Sequence, residues 1–122
     1  MTTELSPLNK LWIFDLDGTI VKHNGYLHNG DELLDGVKPF CDRLSAYDQV
    51  LIVTARKSIY QEETIAFLKK EGIRFNRILF DMPTGERMLI NDKKPSGLLT
   101  AYAYNTERDQ FLTEEFVINK DK

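Results

Sequence analysis

The sequence has little cysteine, no long apolar run and no excess of positive charge, and each shortage closes off a class of protein. Cys41 is the single cysteine among 122 residues, so no internal disulfide can form, and a reducing cytoplasm is the simplest home. No apolar run approaches the roughly 18–20 residues that a membrane span needs. The first ten residues, "MTTELSPLNK", lack the apolar core of a secretion signal. Lys and Arg number 16 against 19 Asp and Glu, a net charge of −3, which argues against a long polyanion such as nucleic acid as partner while leaving room for a locally basic site. Repeats and low-complexity segments are missing too. What remains, 42% hydrophobic and 29% charged residues, is the composition of a folded domain with one core, spanning 1–122.

The apolar segments alternate in type. "KLWIF" (10–14), "QVLIVTA" (49–55), "RILF" (77–80), "RMLIN" (87–91) and "LLTAYAYN" (98–105) read as strands. Between them, "VKPFCDRLSAYD" (37–48) has Val37, Phe40, Cys41 and Leu44 at helical spacing, with Pro39 near the start where it is tolerated. "SIYQEETIAFLKKEG" (58–72) reads as a helix opened by a Ser58/Gln61 capping box and stopped at Gly72. The glycine-rich stretch at about 20–35 reads as a flap loop, and the charged tail at 106–122 as a short amphipathic helix. Strands alternating with helices predict an α/β fold: a five-stranded, mainly parallel sheet in a three-layer, Rossmann-like sandwich.

Against this background "LWIFDLDGTIV" (11–21) is odd. A run that is burying itself ends in Asp15 and Asp17 with one leucine between them. Residues two apart in extended chain project to the same side, so the two carboxylates repel unless a cation offsets them. In open parallel sheets ligands bind beyond the carboxyl ends of the strands. Three apolar runs end in polar residues there: Asp15-Leu16-Asp17-Gly18-Thr19, Thr54-Ala55-Arg56, and Asn91-Asp92-Lys93. Asp15, Asp17 and Asp92 together would make a hard-oxygen cluster suited to Mg²⁺. His23 and His28 lack the spacing of a zinc site, Cys41 lies on an apolar helical stripe, and Trp12 reads as packing.

"DLDGT" after a strand, "LIVTAR" and "LIND" resemble the haloacid dehalogenase-like superfamily of phosphohydrolases across residues 10 to 95, in its capless form, because about fifteen residues separate Thr19 from Asp35. That resemblance implies Asp15 as nucleophile, forming an aspartyl-phosphate, and Asp17 as general acid and then base. It implies Mg²⁺ held by an Asp15 oxygen, the Asp17 carbonyl and the Asp92 side chain, with Thr54 bonding a phosphoryl oxygen and Arg56 contacting substrate or capping a helix. The family's basic residue ahead of the acidic motif has no lysine to match between Lys70 and Asp92, so Arg87 is the first choice and Lys93 the second. Asn91 stands where many relatives have aspartate. The implied activity is Mg²⁺-dependent hydrolysis of a phosphomonoester, with a small phosphorylated metabolite as substrate, such as a sugar phosphate or nucleotide, and a polynucleotide end as the alternative. Open sites of this kind accept bulky substrates or take closure from another subunit, a homo-oligomer. Two readings from other classes are a phosphoacceptor domain, which has no use for an acid at Asp17, and a phosphate binder without turnover, suggested by the missing lysine.

Overall fold

The computed structural model describes all 122 residues. Its strands are β1 (Thr2–Leu5), β2 (Leu11–Asp15), β3 (Gln49–Val53), β4 (Arg77–Leu79) and β5 (Glu115–Ile118), and its helices α1 (Val37–Asp42) and α2 (Gln61–Lys70). The strands are all parallel but form two small sheets, β2-β3-β4 and β1-β5, not the single five-stranded sheet that the sequence predicts. Residues 87–91 and 98–105 carry no strand. Expectation there rested on apolar content alone, and these residues are largely exposed: Met88 is 80% and Ile90 86% accessible. The tail departs as well. Glu115–Ile118 is a strand paired with Thr2–Leu5, a contact between chain ends that no local periodicity reveals.

Alternation explains how β2 and β3 are buried. Trp12 and Phe14 stand opposite Val50 and Ile52, and this side meets Val37 and Cys41 of α1 and Leu68 of α2 in one core. The other side, with Leu11, Ile13 and Leu79 substantially exposed, adds nothing to that core. Both helices therefore cover one face, and the arrangement has two layers where three were expected. Phe111 reaches the core from the tail and stacks on Phe14 with ring centroids 6.3 Å apart. Phe116 of β5 meets Trp12 edge-on at 5.1 Å.

α1 is shorter than the expected span because Ser45 and Asp48 turn the chain: the Ser45 hydroxyl accepts the Tyr47 N–H and the Ser45 carbonyl that of Asp48. Asp48 in turn accepts the Trp12 indole N–H at 3.0 Å. α2 is not opened by a Ser58/Gln61 capping box. Ser58–Tyr60 is a 3₁₀ turn leading into the helix, with no side-chain cap, and the Ser58 N–H goes to Asp81. Its end matches expectation. Gly72 takes φ +71°, its N–H reaches the Lys69 carbonyl, and the Ile73 N–H reaches that of Leu68, the double bond of a left-handed helix stop with its apolar contact between Ile73 and Leu68. No helix is long and apolar enough to cross a membrane.

Leu68 thus joins the helix stop to the core at 0% exposure. Leu68→Ala is expected to cost about 2–5 kcal/mol in urea denaturation, whereas Met88→Ala should stay within about 0.5 kcal/mol. Equal losses would contradict this account of the core.

Candidate active site

β2 and β3 run parallel with Asp15 opposite Val53, so the residues just beyond them, Asp17 and Thr54 with Arg56, emerge at one rim. The chain after β2 folds into a tight loop. The Leu16 carbonyl accepts N–H groups from Thr19, Ile20 and Val21, while the Gly18 N–H reaches the Val21 carbonyl at 2.7 Å. Gly18 sits at φ +83°, a left-handed conformation that disfavours a side chain, and the Arg108 side chain packs beside it. The Gly18 carbonyl accepts the Asp109 N–H at 2.8 Å, and Asp109 accepts the His23 N–H. Residues 108–109 of the tail are therefore tied to this loop, a neighbour that the sequence reading did not include.

Asp15 presents a carboxylate with 44% of its side chain accessible. Thr19 donates its hydroxyl to Oδ2 at 3.2 Å, and Arg87 lies 3.6 Å from Oδ1. Of the two basic candidates, Arg87 is thus the one beside Asp15, although its segment is no strand. Lys93 is exposed and forms no ion pair. Thr54 is 1% exposed and its hydroxyl oxygen accepts the Arg56 N–H at 3.0 Å, leaving the hydroxyl proton to donate elsewhere.

Arg56 is the most enclosed of these residues, with a side chain 1% exposed. Its guanidinium has five N–H donors, and every one has a protein acceptor. Nε and Nη2 donate to the two oxygens of Asp17 at 3.3 and 2.8 Å. Nη1 and Nη2 donate to the two oxygens of Asp31 at 2.9 and 3.0 Å. The second Nη1 proton goes to the Thr64 hydroxyl of α2 at 2.9 Å. The Tyr26 ring lies against the guanidinium, 3.8 Å from Cζ to its centroid. Burial alone would lower the Arg56 pKa, but hydrogen bonds and charge from Asp31 and Asp17 more than offset it and hold the guanidinium above its ordinary range. Burial, then the Asp17 charge, push the Tyr26 phenol up. Arg56 therefore neither caps a helix nor offers a free donor to substrate; it binds the strand end, the flap and α2 together. Asp31 and Tyr26 went unnoticed in the sequence because both lie in loop chain without a motif.

The three carboxylates expected around one cation are not gathered: no group of three or more His, Cys, Asp or Glu side chains is arranged to hold a metal. Asp92 is exposed in irregular chain, where its carbonyl accepts the Thr100 hydroxyl at 2.5 Å and the neighbouring Asn91 amide donates to Thr100. The strand that was to deliver Asp92 does not form. Two oxygens at the end of β2 do suit a hard cation: the accessible Asp15 carboxylate and the Asp17 carbonyl, to which no donor is directed. Mg²⁺ is held by few protein oxygens and keeps several waters, so the donor chemistry here fits it.

Removing Arg56 would leave Asp17 and Asp31 enclosed without their counter-ion, a loss of about 3–5 kcal/mol for a buried pair. Arg56→Ala should show it as a lowered urea midpoint, and Arg56→Lys should not restore it, since an ammonium cannot serve two carboxylates as a planar fork does. A wild-type midpoint in Arg56→Ala would contradict this role.

No protein-family model matches the chain, and no curated protein matches it. Among solved structures, a chain of the one titled "Structure of the Pnkp1/Rnl/Hen1 RNA repair complex" is similar over 70% of this chain, at 26% identity and a TM-score of 0.53. The similar region is 30% of that chain's length. This α/β protein is thus related in structure to part of a chain from an RNA repair complex.

Proposed function

We propose that the protein is a phosphomonoester hydrolase that works through an aspartyl-phosphate on Asp15. The observation that carries this reading is the end of β2: an accessible Asp15 carboxylate, Asp17 two residues on, and Arg87 3.6 Å away in a basic position. A carboxylate oxygen of Asp15 attacks phosphorus and the bond to the leaving oxygen breaks; that oxygen takes the proton that Asp17, in its carboxylic-acid form, carries on the edge away from Arg56 and regains from water in the next step. Water then attacks the phosphorus, gives its proton to Asp17, and the bond to Asp15 breaks to release phosphate. Arg56 occupies two of the roughly four lone-pair positions of the Asp17 carboxylate, so the acid is held on one edge and remains open on the other, with 15% of its side chain accessible. Arg87 and the Thr54 hydroxyl would steady the phosphoryl oxygens.

Asp15, the Asp17 carbonyl and, from the 87–105 segment, Asp92 are the residues that would hold Mg²⁺, with Asn91 beside them. Bound there, the cation supplies positive charge that offsets both the carboxylates and the phosphate. The three carboxylates do not form a ready-made cluster, so waters would complete the coordination shell of such a cation.

The substrate reading is a small phosphorylated metabolite, in keeping with the net negative charge of the chain. Likeness to a chain of an RNA repair complex favours a second reading, a phosphorylated polynucleotide end. An open site without a cap suits either.

Purified protein should hydrolyse an aryl phosphate only with Mg²⁺ present, and a phosphate-mimicking metal fluoride should inhibit it. Asp15→Asn should abolish turnover, and retained turnover would remove the covalent route. Asp17→Asn should lose about 10²–10⁴-fold in kcat. Arg87→Ala should lose more than Lys93→Ala; the reverse order would transfer the basic role to Lys93. Comparing kcat/KM for sugar phosphates, nucleotides and an oligonucleotide with a terminal phosphate separates the two substrate readings.

A further inference from the structure

We infer that Asp31, in the flap, is a positioning residue that fixes the Asp17 carboxylate through the buried guanidinium of Arg56. The inference rests on the reading of Asp17 as acid and base. A guanidinium is a rigid planar fork, and here two of its edges are taken by two carboxylates. One edge, Nε with Nη2, holds Asp17; the other, Nη1 with Nη2, holds Asp31. Because the fork is rigid, any rotation that weakens one pairing swings the other edge out of line. Asp31 therefore sets the plane in which Asp17 is presented.

The surroundings leave Arg56 no substitute for Asp31. Its side chain is 1% exposed, and that of Asp31 is 7%. The remaining Nη1 proton is committed to Thr64, whose own hydroxyl donates to the Tyr60 carbonyl at 2.8 Å. Tyr26 covers one face of the guanidinium and meets Tyr60 edge-on, with centroids 4.8 Å apart. Without the Asp31 charge, the fork loses one of its two charged acceptor pairs in an enclosed place, where an unmet donor is costly. It must then turn, or the flap must shift to reach it, and in both cases Asp17 loses its fixed direction. Misplacement of a reacting group by about 1 Å can cost on the order of 10²-fold in rate. The hydrogen bonds and ion pair of the Asp31 side chain all go to Arg56, so its influence on turnover is expected to pass through that residue.

The experiment is a double-mutant cycle of Asp31→Asn with Asp17→Asn, read as kcat and KM on an aryl phosphate with Mg²⁺ and as urea midpoints. Asp31→Asn alone is expected to lower kcat by about 10–100-fold with KM little changed, and to cause no further loss in the Asp17→Asn background. The inference is overturned by an unchanged kcat in Asp31→Asn, by a raised KM at constant kcat, or by a full additional loss in the double variant. If the wild-type protein shows no turnover, the hydrolase reading fails by itself, and the coupling is decided by the midpoints. Non-additive shifts for the two substitutions support the shared fork, and additive shifts refute it.

Discussion

One buried guanidinium holds the functional end of this protein together. Arg56 follows β3, yet its partners come from the loop after β2, the flap and α2. Two carboxylates enclosed this far from water would repel, and a cation between them turns the repulsion into a cross-link. Full use of five donors matters more than the charge alone, because a guanidinium buried with an unmet N–H would lose much of what the pairing contributes. The rim of the sheet is consequently rigid at Asp17 and looser at Asp15, whose nearest cation, Arg87, is 44% accessible.

That difference suits the chemistry proposed. A nucleophile needs access, and Asp15 has it. An acid and base needs direction, and Asp17 receives it from Arg56 on one edge while the other faces outward. The flap, which the composition of 20–35 marks only as a loop, contributes a charged side chain and an aromatic face to this arrangement. The tail adds Phe111 to the core and the Asp109 amide to the Gly18 carbonyl. Segments remote in sequence thus converge on the five residues from Asp15 to Thr19.

Much of the local structure was legible. The strands at 10–14, 49–55 and 77–80 form within a residue or two of their expected places, because alternating or continuous apolar residues bounded by turn formers leave few other options. α2 and its stop at Gly72 were legible for the same reason. The misreadings share one cause. At 87–91 and 98–105 apolar side chains suggested strands, but a strand exists only where a neighbour supplies hydrogen bonds, and none lies alongside them here. The tail erred the other way: apolar residues among charges suggested an amphipathic helix, but pairing with β1, more than a hundred residues distant, decided its form.

By itself the sequence determined that Asp15 ends an apolar strand, with Asp17 two residues on and Gly18 turning the chain, since strand formation and backbone freedom there are local properties. It determined also that Thr54 and Arg56 end the next strand. Only the tertiary structure decided that Arg56 faces inward to Asp31 and Asp17, that Arg87 lies by Asp15, and that Asp15, Asp17 and Asp92 form no three-carboxylate cluster. Those outcomes depend on how buried charges find partners across the fold, and the energy of such pairing belongs to an enclosed space that no stretch of chain creates alone.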